Sequence, residues 1–130
     1  MDDRDLLNSS ILNDVKKIIG ISDMNPDFDT DIVLAINANL VAFRQMGFGK
    51  ENFAVVDQTE TWNDLLQDDE LDLHNVKIWL AFKTKMMFDP PASGAYAESM
   101  KAAIAECEWR FFITKNYVGE VEEAWKNYGT

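Results

Sequence analysis

Apolar residues recur along this chain at three- and four-residue spacing, the signature of helices that each bury one side. Ile11, Val15, Ile18 and Ile19 predict a first helix over about residues 10–19. Ser9 or Ser10 can accept hydrogen bonds from its exposed amides, and Gly20 supplies a left-handed stop. Residues 21–28, punctuated by Asn25-Pro26, read as a loop. A second helix is expected over about 31–46, capped by Asp29 or Thr30 and closed by Gly47. Its Ile32, Val33, Ile36, Leu40 and Phe43 fall within about 100° of arc. Ala35, Ala38 and Ala42 share another side, where a neighbouring helix could approach closely, and this helix is expected to be central.

Residues 47–61 lose the period. Residues 53–56 could extend, but no partner strand is evident and no hairpin is expected. Thr61 can cap a short turn over 62–66 with Trp62 and Leu65 inward, and Asp68-Asp69-Glu70 reads as a solvated connector. A third long helix spans about 72–88, with Leu73, Val76, Trp79, Leu80 and Met87 on one face, widened by Ile78, Phe82 and Met86. Lys83 projects from that stripe, so it either runs its methylenes out to water or meets a carboxylate, including one from another subunit. Pro90 disfavours helical geometry in the residue before it, so the helix ends by Asp89.

The fourth long helix, from about 93 to 114 or beyond, carries two apolar stripes. Tyr96, Met100, Ala103, Ile104, Cys107 and Phe111 form the first; Ala102, Ala105, Trp109, Phe112 and Ile113 lie roughly opposite. One stripe suffices to join a core, so the second implies a sandwiched helix or a face presented to a partner. After Gly119, Val121, Ala124, Trp125 and Tyr128 continue at helical spacing in an acidic segment. The candidate interface residues are therefore Lys83, Ala105, Trp109, Phe112, Ile113, Trp125 and Tyr128. The pattern describes an all-α fold, a small bundle of four to five helices with long irregular connections. One domain is expected over residues 1–130, with 117–130 a C-terminal extension whose docking is open.

Composition adds limits. At 130 residues with 47% apolar content, a chain can bury roughly two-thirds of its unfolded surface without a metal or disulfide staple. The lone Cys107 lies on an apolar stripe and reads as a core thiol in a reducing compartment. The acidic start lacks the apolar run of a signal peptide, and no stretch approaches the ~20 apolar residues of a membrane span. Twelve basic against 23 acidic residues leave a formal charge of −11, which disfavours gripping DNA or anionic lipid. It serves solubility, or a surface past which nucleic acid slides without sticking.

Chemical constellations fail one by one. Asp23, Asn25, Asp27, Asp29 and Asp31 alternate like a calcium loop, but an EF-hand needs Gly at its sixth position and Glu at its twelfth. Counted from Asp23 those places hold Phe28 and Leu34; helix capping by Asp29 explains the acids better. His74, the single histidine, sits on the polar side of its helix. Transition-metal sites recruit several His or Cys ligands, and a Ser-His-Asp or Cys-His arrangement would have to use this one imidazole while Cys107 is expected in the core. Gly47-Phe48-Gly49-Lys50 is too short for a phosphate loop, and Glu106 and Glu108 splay to different sides of their helix. No catalytic residue, metal site or cofactor is expected.

Taken in order, several segments carry a resemblance. They are Ile11-Leu12-Asn13-Asp14-Val15-Lys16-Lys17-Ile18-Ile19-Gly20-Ile21, Phe28-Asp29-Thr30-Asp31-Ile32 with Ile36-Asn37, and Gln45-Met46-Gly47-Phe48-Gly49. Thr61-Trp62-Asn63-Asp64-Leu65, Phe88-Asp89-Pro90-Pro91 and Ile104-Ala105-Glu106-Cys107-Glu108-Trp109-Arg110 complete the series. Over about residues 10–112 the chain resembles head–tail connector (adaptor) proteins of long-tailed bacteriophages and prophages of Gram-positive hosts. The resemblance implies a helical bundle assembling into a homo-oligomeric ring, typically dodecameric, beneath the portal protein. Such a ring extends the channel through which DNA passes without specific binding, and offers a docking surface to a stopper or tail-completion protein. It implies a virion location at the head–tail interface, host cytoplasm during assembly, no membrane and no enzyme activity. The alternative from another class is an acidic helical regulatory protein that engages a basic host or phage partner.

Overall fold

The computed structural model describes residues 6–67 and 71–118. Five α-helices lie wholly within these described residues, in order: α1 (Ile11–Ile18), α2 (Asp29–Gln45), α3 (Trp62–Leu66), α4 (Leu73–Phe88) and α5 (Gly94–Ile113), with a π-helical turn, Thr114–Val118, continuing α5. The all-α expectation holds. Among the described residues the only β feature is an isolated bridge between Ser10 and Thr61.

The helix ends follow local chemistry. Ser10 accepts from the Asn13 amide, Asp72 from those of His74 and Asn75, and Ser93 from that of Tyr96. Thr61 and Asp64 exchange side chain and backbone as a capping box. α1 and α2 both end in Schellman motifs, each built on a left-handed glycine (Gly20, φ 91°; Gly47, φ 96°). The Ile21 amide returns to the Lys16 carbonyl at 2.8 Å, and the Phe48 amide to the Phe43 carbonyl at 3.2 Å. One cap differs from expectation. Asp29 is the first residue of α2, whose start has no side-chain cap, and its carboxylate instead meets the Lys16 ammonium at 2.7 Å.

α4, not α2, is the central helix: it packs against α1, α2 and α5. Val76, Trp79, Leu80, Ala81 and Thr84 are buried and wrap more than half its circumference, whereas α2 keeps one open side. Phe43 of α2, Trp79 of α4 and Phe111 of α5 form a triangle with centroid separations of 5.4, 6.0 and 6.0 Å, closed at one end by Phe48. Burying each such side chain contributes about 2–3 kcal/mol.

Three expected core residues lie outside. Ile18 is exposed because the buried arc of α1 is shifted toward Leu12 and Lys16, both buried. Lys16 reaches the core because Asp29 and the Asn25 carbonyl, each at 2.7 Å, satisfy its ammonium. Met87 shares the arc of its stripe but sits in the last turn of α4, where it lines an open hollow with Leu34 and Phe88. Tyr96 lies in the first turn of α5, and it too is exposed.

Apart from the Ser10–Thr61 bridge at its end, the connection over 47–61 is held without strand pairing among the described residues. Asn37 of α2 donates to the Val55 carbonyl at 2.9 Å and accepts from the Val55 amide at 2.8 Å, as a neighbouring strand would. Arg44 donates to the Phe53 carbonyl at 2.9 Å. Val55 is thereby buried while Val56 stays exposed.

Candidate assembly surface

The two stripes of α5 have different fates. Met100, Cys107 and Phe111 are buried and Ile104 packs at the margin of the core. Burial raises the Cys107 thiol pKa, with Glu106 and Glu108 adding to this and Arg110 opposing it, so the thiol stays protonated and unreactive. On the opposite side Ala102 and Ala105 are exposed, Trp109 is 56% exposed and Phe112 46%, and Ile113 is half-buried. Trp109 and Phe112 stack with centroids 5.5 Å apart, so the face presents a rigid aromatic ridge after a flat, alanine-lined stretch.

Beside this face runs an open groove over α4. Asn39 of α2, Lys83, Met86 and Met87 of α4, and Lys101, Ile104, Ala105 and Glu108 of α5 line it. Lys83 and Ala105, singled out in the sequence for separate reasons, thus border one hollow. Lys83 meets a carboxylate of its own chain: its Nζ lies 3.9 Å from Glu108 Oε2 and 5.4 Å from the centroid of Trp79. The same Glu108 oxygen accepts from the Trp79 indole at 3.2 Å, pinning α5 to α4. Glu106 points elsewhere and pairs with Arg110 at 2.7 Å. Trp125 and Tyr128, the remaining interface candidates, lie outside the described residues.

The periodicity does not flag Asn39 or Met87 as surface-lining. Asn39 is buried, and its Nδ2 makes no hydrogen bond among the described residues. A polar residue in the buried arc beside Ile36, Leu40 and Phe43 was the available signal. Helical phase places Met87 on the core face, because phase alone cannot say where a neighbouring helix stops.

The chemistry of this surface is packing and weak polar contact. Among the described residues no three His, Cys, Asp or Glu side chains converge as metal ligands. Of the alternating 23–31 positions, Asn25 Oδ1 accepts from the Asp27 amide at 3.0 Å, and the Asp29 carboxylate holds Lys16. No described helix is long and apolar enough to cross a membrane. Comparison with curated proteins and with solved structures gives no match. A family model described as phage connector protein matches residues 11–118, which takes in α1 through α5, the groove and the ridge. This all-helical chain, with its apolar outer face, belongs to the phage connector protein family.

Proposed function

We propose that the protein is a virion structural component that assembles into a ring, about twelve copies round, joining the portal of the capsid to the tail. Family membership carries the connector role and association with other phage virion proteins. The observation supporting self-assembly is the exposed ridge of α5, because a second apolar stripe left open by its own bundle gains free energy when another chain covers it. A ring uses heterologous contacts, one patch meeting a different patch on the next copy. On the tail side a stopper or tail-completion protein would dock.

The −11 charge supports a channel role in which DNA is a passenger. An acidic bore repels phosphates and keeps the exiting genome from sticking. The protein performs no catalysis on this reading; its work is positional.

Light scattering with negative-stain imaging tests the proposal, alone and with the portal protein. Rings are the expected outcome, and a protein that stays monomeric at every concentration and on the portal overturns it. Trp109→Ala is expected to abolish assembly while circular dichroism and the melting transition stay nearly unchanged, since Trp109 is exposed. Rings that survive this change would exclude the ridge as an interface.

A further inference from the structure

Phe53-Ala54-Val55-Val56, the stretch that finds no partner strand in the sequence, has one edge in use and one open. The Val55 amide and carbonyl both bond the Asn37 side chain. That requires an extended backbone, in which a residue's N–H and C=O point the same way. The Phe53 carbonyl, two residues back, faces the same side and accepts from Arg44. By the same alternation Ala54 and Val56 turn their main-chain groups the opposite way, outward. Both residues are exposed, Val56 to 74%. Among the described residues the Ala54 amide, the Ala54 carbonyl and the Val56 carbonyl have no hydrogen-bond partner. The Val56 amide is held by Glu60 Oε1 at 2.8 Å.

Open edges are commonly blunted by proline, lysine or a bulge. This one carries aromatic and β-branched residues instead, which favour strand pairing. It is also held ready. Asn52, in the left-handed region at φ 61°, turns the chain in front of it. Behind it Asp57 Oδ1 accepts from the Thr59 amide and hydroxyl at 2.8 and 2.6 Å. A strand laid along this edge gains hydrogen bonds with little further ordering of this chain.

Charge and hydrogen bonding choose the occupant. At the Val56 end the Asp57 and Glu60 carboxylates meet only neutral donors, from Val56, Asp57 and Thr59. At the Phe53 end Glu51 is offset by Lys50, Arg44 and Lys115. A second copy fits less well than another protein. Two of these edges paired about Val55 would need both Val56 amides, which Glu60 holds. Paired about Ala54, they would set Val56 against Asn52, which is not extended. Either register leaves two hydrogen bonds, whereas a strand of another protein can engage all three free groups.

We infer that the outer edge of residues 53–56 takes an extended strand of another virion protein, one that places a lysine or arginine beside Asp57 and Glu60. This rests on the docking to other virion proteins proposed above and names its mode; it needs neither a ring nor the α5 ridge.

Ala54→Pro tests it, because it removes a main-chain donor that the fold does not use, and the residue before it is already extended. The full-length protein is titrated with the purified portal protein and the purified tail-completion protein of the same phage. Binding to one of them is expected to weaken roughly tenfold or more in Ala54→Pro, with the melting transition unchanged, and to persist in Ala54→Thr, which keeps the N–H. Amide exchange on the unsubstituted complex is the second measurement. The Ala54 amide should slow roughly tenfold or more, while the Val55 amide, already bonded to Asn37, changes little. That alternation decides the matter even if Ala54→Pro lowers the melting transition. Asp57→Asn, which keeps an oxygen for Thr59, should weaken binding and flatten its salt dependence; no change there overturns the cationic end of the partner. Binding that survives Ala54→Pro, with the Ala54 amide exchanging freely in the complex, overturns the edge while the connector role stands. An unsubstituted chain that binds neither protein overturns this inference and the proposed docking together.

Discussion

Asp14 gathers three donors on one carboxylate oxygen: the Ser9 hydroxyl, the Trp62 indole at 2.8 Å and the Lys77 ammonium at 3.1 Å. It thereby ties α1 to α3 and α4. Burial alone would raise its pKa, but the hydrogen bonds from Ser9, Trp62 and Lys77 and the Lys77 charge together outweigh that and hold it below the usual value. A carboxylate whose folded pKa is lowered stabilises the fold fully above its unfolded pKa, near 4. That contribution is lost as pH falls through the folded value. Urea unfolding should therefore show stability dropping below about pH 4, and Asp14→Asn should remove part of that drop. At neutral pH the same substitution is expected to cost about 1–3 kcal/mol, because it leaves the Lys77 ammonium without its counter-charge. An Asp14→Asn protein as stable as the parent would show the hub to be dispensable.

At the level of elements, two side chains of α2, Asn37 and Arg44, hold the irregular 47–61 segment. Asn37→Ala leaves the Val55 amide and carbonyl without their partners, an expected loss of about 1–2 kcal/mol. Hydrogen exchange should locate the effect, with the Val55 amide losing protection before the amides of α4 do. Equal loss across all helices would argue that the segment unfolds only with the whole. The helix ends were legible in the residues because a cap acts over three positions, as Ser10, Thr61 and Ser93 do. The Asn37 grip was not legible, since its partner lies 18 residues away. Asp29 misled for a related reason: a carboxylate at a helix start suits capping, and only the approach of Lys16 redirected it.

For the whole molecule, net charge and the open stripe of α5 act against each other. Every copy carries −11, so bringing copies together meets electrostatic repulsion that salt screens. Exposed ion pairs across an interface contribute at most about 1 kcal/mol each. Self-assembly is therefore expected to strengthen as ionic strength rises from about 10 to 150 mM, where the Debye length shrinks from roughly 30 to 8 Å. Sedimentation across a salt series would show this, and assembly that weakens steadily with salt would mean that local ion pairs dominate the contact.

The order and type of the helices, and their ends apart from the start of α2, were determined by the sequence alone, because periodicity, capping and proline or glycine breaks operate within a few residues of each other. The second stripe of α5 was visible there for the same reason. Which helix stands at the centre, and which apolar stripe stays uncovered, only the tertiary structure decided. Helical phase says that a side is greasy, but what lies opposite depends on chain segments far away in sequence. Lys16 shows the point: it is buried because Asp29 and the Asn25 carbonyl arrive to satisfy it, and no local pattern contains that meeting.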